Sequence, residues 1–194
     1  MTTLEALSSI LATIGRDPPS SITSPLFPEA AKALRLLNES RRSVIRNGLW
    51  FNIETDYTLA RGTDNTVNLP VGCMAIRIKP LAWDKKPPVA RAGKLYDVES
   101  KTYLFSENPV ALRMSLDVPF DDLPESVQQY IMIRTARIFA AGTLVSNPPL
   151  AYTREDEGRA RGEMMAEHIR NFNGNVTAED GSWLLEEDRD YENI

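Results

Sequence analysis

The spacing of apolar residues changes twice along the chain. Leu4, Leu7, Leu11 and Ile14 fall at intervals of three and four, which places them on one face of a helix over about 3–14. Thr2 and Glu5 stand at capping-box spacing before it, Gly15 suits its stop, and Pro18-Pro19 forbid continuation. A second helix begins near Pro28, with Ala30, Ala33, Leu34, Leu37, Val44 and Ile45 as its buried stripe. Asn47-Gly48 ends it, because glycine enters the left-handed conformation without steric cost.

The period then drops to two. After Leu49, Trp50 and Phe51, which are expected to pack back over the helix end, Ile53, Thr55, Tyr57 and Leu59 alternate with polar residues, as in a half-buried strand. "CMAIRI" (73–78), with Met74, Ile76 and Ile78 on one face and Arg77 on the other, and "VALRMSLDV" (110–118) read as further strands, and "KLYDV" and "TYLF" as a hairpin around "ESK". "DKKPPVARAGK" (84–94) reads as a basic loop.

Helical spacing returns at "DDLPESVQQYIMIRTARIFAAG" (121–142), where Asp122 and Glu125 form an expected capping box and Val127, Tyr130, Ile131, Arg134 and Ile138 an expected stripe. Asn147 is available to cap a charged helix over about 149–172 that carries Gly158 and Gly162. Each interior glycine costs about 1 kcal/mol relative to alanine. Either this helix frays or bends at the surface, or another helix approaches closely over the two glycines. "EDE" at 155–157 has the pattern of an exposed helix face.

The pattern implies an α+β fold: a bundle of four main helices with a small antiparallel β-domain inserted between its halves, and an extended acidic C-terminal arm. The expected divisions are 1–50 (first half of the bundle), 51–120 (β-domain), 121–173 (second half) and 174–194 (arm). Each helical pair has an apolar stripe too narrow to be stable alone, so the two halves must pack together.

Composition narrows the chemistry. One cysteine, Cys73, excludes an intramolecular disulfide and reads as an inert, partly buried thiol; with one histidine, His168, far from it in sequence, the two are too few for a structural zinc site, which usually takes four such ligands. No cofactor, metal or catalytic set is called, and no apolar run is long enough to span a membrane. Net charge is −5, with +3 over 61–120 and −8 over 121–194, the wrong balance for a dedicated nucleic-acid binder. Arg35, Arg42 and Arg46 share one face of the second helix, a candidate docking face for an acidic neighbour. Trp183, Leu184 and Leu185 form an apolar anchor among carboxylates, as in a segment that orders on a partner.

Taken together, "ILATIGRDPPSS" (10–21), "AAKALRLLNESRRSVIRNGLWFNIE" (30–54) and "DDLPESVQQYIMIRTARIFAAG" (121–142) resemble the tail tubular protein A family of short-tailed bacteriophages. The family pattern has Gly-Trp adjacent, whereas here Leu49 intervenes between Gly48 and Trp50. The resemblance implies a virion structural protein, assembled in the host cytoplasm, that forms a ring-shaped adaptor or gatekeeper between the portal protein and the tail nozzle protein. It implies a homo-oligomer of 12 copies with phage DNA passing, without sequence preference, through the centre. Gly48, Trp50 and Phe51 would then anchor the domain junction, and Arg35, Arg42, Arg46, Trp183, Leu184 and Leu185 are candidates for oligomer or portal contacts. Lys85, Lys86, Arg91 and Lys94 are candidates for the DNA channel, drawn from the positive central region. The alternative is a glycan hydrolase on host surface polysaccharide, which requires paired carboxylates at a defined separation.

Overall fold

A computed structural model describes residues 1–23, 26–46, 48–77, 88–106, 110–143 and 151–172. Helix α1 (Thr3–Ala12) starts at the expected capping box: the Thr2 hydroxyl accepts from the Glu5 amide at 3.2 Å, and the Glu5 carboxylate accepts from the Thr2 amide at 2.7 Å. Gly15, at φ +69°, follows its end. Helix α2 (Pro28–Ile45) has Pro28 in its first turn and buries Ala30, Ala33, Leu37 and Ile45 on one side. Gly48 has φ +83°, the left-handed geometry that turns the chain out of α2.

Among the described residues, five short strands follow: β1 (Ile53–Leu59), β2 (Cys73–Arg77), β3 (Val89–Arg91), β4 (Lys94–Tyr96) and β5 (Val110–Leu116). β5 is central in an antiparallel sheet of order β1-β5-β2, and β3-β4 is a separate hairpin. Four expectations change here. Tyr57 and Thr55 are exposed, because a register shift between Glu54 and Tyr57 breaks the alternation of β1. Met74 packs onto the helical core while Cys73 and Ile76 pack onto the β-core, because β2 also shifts register between Cys73 and Ala75. Residues 89–93, read as loop, form β3 and the turn of the β3-β4 hairpin, whose second strand falls within the expected strand "KLYDV", and Ala92 and Gly93 are both at positive φ (52° and 72°) in that turn. The hairpin expected across "ESK" is reduced to a single bridge, Asp97 to Thr102.

Helix α3 (Glu125–Ala141) follows a 3-10 turn at Phe120–Asp122. Its N-cap is Pro124, with no side-chain cap, so the expected Asp122–Glu125 box does not form. Instead Asp121 accepts from the backbone amide and hydroxyl of Thr3, tying this turn to α1. Nor is α3 buried on a single stripe. Gln128, Met132, Ile133, Thr135, Phe139 and Ala140 are buried as well, whereas Ile138 is exposed. The cause is its position: α3 packs against α1, α2 and α4 (Arg154–Phe172) and is the centre of the bundle. Before α4, the Thr153 hydroxyl accepts from the Asp156 backbone amide at 3.2 Å, and the Asp156 carboxylate accepts from the Thr153 amide at 2.9 Å and from its hydroxyl at 2.8 Å. Asn147, the expected cap, lies outside the described residues.

Two apolar cores result. The helical one includes Leu7, Ile10, Leu37, Ile131, Phe139 and Met164. The smaller one joins Leu59, Val67, Leu95, Phe105 and Met114 within the β-region. Each such side chain, fully buried, contributes about 1.5–3 kcal/mol. Among the described residues, four helices and small antiparallel sheets make the chain α+β. The expected arm and its Trp183, Leu184 and Leu185 lie outside the described residues.

Candidate functional site

The chain crosses between helices and sheet twice, and both crossings are clasped by polar side chains. At the outgoing crossing, Asn52 is buried and uses its amide fully. Its Oδ1 accepts from the Leu49 amide at 2.7 Å, and its Nδ2 donates to the Ile45 carbonyl at 2.8 Å and to the Leu116 carbonyl at 2.9 Å. One side chain thus joins the end of α2, the turn after it and the end of β5. The Leu116 amide returns a bond to the Asn52 carbonyl at 2.9 Å, and the Ser115 hydroxyl donates to the Arg46 carbonyl at 3.2 Å.

The returning crossing is held by charge. Arg41, whose side chain is 10 % exposed, donates to the Asp117 carboxylate and the Val118 carbonyl. Breaking a buried pair on one side strands the other charge. Arg42 reaches the same carboxylate more loosely, at 3.9 Å.

The third component is His168 of α4, which is buried. Its Nδ1 accepts from the Trp50 backbone amide at 3.2 Å, and its ring lies between those of Trp50 (5.9 Å) and Phe172 (5.0 Å). Burial, and then the positive charge of Arg113, lower its pKa from the usual 6.5. The ring is therefore held neutral, and its accepting Nδ1 assigns the remaining proton to Nε2, which has no partner within the described residues. Trp50 stands edge-on to Phe51 at 5.2 Å, and both are half-buried against the helical core. Gly48, Trp50 and Phe51 thus lie where α2, α4 and the sheet meet. Gly48 itself admits no side chain: a Cβ there would come within 2.9 Å of Ile53.

The sequence pattern did not assign Asn52, Arg41 or His168 to this joint, His168 having been weighed only as a zinc ligand, though two carried a signal. Arg41 falls four residues after Leu37 and four before Ile45, and His168 four after Met164, so each sits on an apolar stripe that a polar group enters only with a partner. Asn52 carried none, since the expected strand alternation assigned it to solvent.

The charged candidates are dispersed. Arg35, Arg42 and Arg46 are exposed on the outer side of α2. Arg35 meets Glu39 at 3.5 Å, an exposed pair of small worth. Arg91 and Lys94 face each other across the β3-β4 hairpin. The Arg91 guanidinium lies 4.1 Å over the Tyr96 ring, and the Lys94 ammonium binds Asp64 at 3.4 Å and the Thr66 hydroxyl at 3.1 Å. Lys85 and Lys86 lie outside the described residues. The 155–157 triplet is not a uniformly exposed face: Glu157 is 13 % exposed and binds Arg134 at 3.2 Å and Arg137, joining α4 to α3. A Cβ on Gly158 or Gly162 would meet nothing within 4 Å, so no helix of this chain approaches there among the described residues. Cys73 is half-buried, and burial raises its thiol pKa, consistent with an inert thiol.

These features define an α+β protein in which buried polar side chains fix a helical body to a sheet. A family model for tail tubular proteins matches residues 4–173, and the chain belongs to that family, a structural component of phage tails. It is 27 % identical over 171 residues to Tail tubular protein A of Klebsiella phage KP34, covering 88 % of this chain and 89 % of that one.

Proposed function

We propose that the chain is the ring-forming adaptor between the portal and the tail nozzle, without catalysis of its own, and that DNA passes through the ring. The observation that supports this most is the family match over nearly the whole helix–sheet–helix unit. The clasped joint is compatible with it, because a protomer in a ring under internal DNA pressure must keep its two parts at a fixed angle. A closed ring also needs two different complementary faces on each protomer. The outer sides of α2 and α4, which flank α3 and do not substantially pack on each other, are two such faces. The proposed ring has 12 copies, as the family resemblance implies.

Negative-stain imaging of the purified protein, alone and mixed with portal, tests the reading. Rings, or ordered decoration of the portal's tail-facing end, are expected; a monomer that ignores the portal would overturn it. The channel assignment of Lys85, Lys86, Arg91 and Lys94 is tested separately by changing all four to Glu. Intact rings with impaired genome retention or ejection are expected, because uncompensated cations in a lumen act directly on phosphates. The tie between Lys94 and Asp64 makes Arg91 the stronger contributor of the described pair.

A further inference from the structure

The outer side of α2 presents Arg35, Arg42 and Arg46, and Arg46 meets no carboxylate among the described residues. The other two are held only by the exposed Glu39 and by the longer contact to Asp117. Elsewhere in the sequence, residues 174–194 hold seven carboxylates and one arginine, a net charge of −6, around Trp183-Leu184-Leu185. This stretch lies beyond the family match, which stops at residue 173.

The place where the described chain stops connects the two. Phe172 packs on His168, which accepts from the backbone of Trp50, and Trp50 is four residues past Arg46. The chain therefore leaves α4 beside the C-terminal end of α2. Glu179 and Asp180, seven and eight residues further on, can lie up to about 25 Å from Phe172 at ~3.3 Å per extended residue. Arg46 to Arg35 spans eleven helical residues, about 17 Å at 1.5 Å each. The acidic stretch can thus cover the whole arginine row without leaving its own protomer.

We propose that the segment 179–192 docks in its own protomer on the arginine face of α2 and neutralises it until a partner displaces it. The attraction is one of opposite net charge on a short tether, where effective concentration is in the mM range and modest contacts suffice. The docked segment brings Trp183 next to Asn38, an exposed residue between Arg35 and Arg42. The face is then available only to a partner that competes successfully with it, which keeps free protomers from binding one another or nucleic acid through this surface.

The test uses the full chain with Cys73→Ser and Asn38→Cys, labelled at position 38 with a bimane dye that tryptophan quenches on contact. Quenching at low salt is expected. It should be lost in Trp183→Phe, lost in Arg35→Glu/Arg42→Glu/Arg46→Glu, and lost at 1 M salt, where screening acts within roughly 3 Å. It should be unchanged on dilution. An unquenched dye overturns the proposal, as does quenching that survives charge reversal. Quenching that fades on dilution assigns the segment to a second copy and overturns the intramolecular docking. Circular dichroism of each variant confirms that the helices remain, so a lost signal reports the contact and not unfolding.

Discussion

Asn52 makes three hydrogen bonds with one amide, and no other residue type places a donor and an acceptor at those positions. Asn52→Ala leaves the buried Leu49 amide and the Leu116 carbonyl without this partner, while the Ile45 carbonyl keeps only its bond from the Gly48 amide. A loss of about 3 kcal/mol is expected, since each unsatisfied buried group costs ~1–3 kcal/mol and water recovers part. Asn52→Asp should be no better, because it lacks the two donors; urea denaturation checks both. His168 supplies a pH signature at the same joint. Its folded pKa lies below the unfolded 6.5, so the unfolded state binds the proton more readily. Stability from this group is therefore fully present above 6.5 and is lost as pH falls from there towards the lower folded value. Protonation also removes the acceptor for the Trp50 amide. The thermal midpoint should fall between pH 7 and 5, and His168→Gln should flatten that part of the profile while keeping an acceptor at the site.

Among the elements, the Arg41–Asp117 clasp joins the C-terminal part of α2 to the residue that follows β5. Asp117→Ala strands the guanidinium that is the more buried partner, and a loss of about 3 kcal/mol is expected. Arg41→Ala should cost less, since Asp117 is more exposed and retains Arg42 nearby. Unfolding midpoints of the two variants settle the order. Such pairing was not legible from the sequence, because Arg41 and Asp117 lie far apart in the chain and only the fold brings them together. What was legible was local. The Thr2–Glu5 box, the Pro28 start, the Gly48 exit and the central strand at 110–116 follow from spacing and turn chemistry within a few residues. The misreadings have equally physical causes. Val89–Arg91 is a three-residue strand, too short for periodicity to show, and the Ala92-Gly93 turn after it was hidden in a run of Pro and basic residues; Lys94–Tyr96 was legible within "KLYDV", but its partner is Val89–Arg91 and not "TYLF". Helix α3 looked one-sided because Gln128 and Thr135 are polar, yet both are buried, with Gln128 donating to the Phe120 carbonyl at 2.9 Å and Thr135 to the Ile131 carbonyl at 2.7 Å.

For the whole molecule, the presence of two cores predicts how far the β-region can be removed. The β1-β5 ladder and Asp117 belong to the joint, while Val67, Leu95 and Phe105 belong to the smaller core. Replacing 61–109 by a short linker should keep the helical circular dichroism and most of the bundle's stability. Extending the excision through Asp117 should lower the midpoint further, because it removes the partner of Arg41. Equal midpoints for the two deletions would show that the clasp contributes nothing.

Because α3 touches every other helix, the bundle has no complete interior until residues 125–141 exist. On a ribosome, α1 and α2 are finished roughly 80 residues before α3 begins. At ~5–20 residues per second that is an interval of about 4–16 s in which Leu7, Leu11 and Leu37 have only each other for cover. The β-region is made within that interval and has its own small core to fold around. The nascent protein thus spends its most adhesive seconds as a half-built helical pair beside a folding sheet, the stage at which chaperones would find it and contacts between nascent chains would go astray.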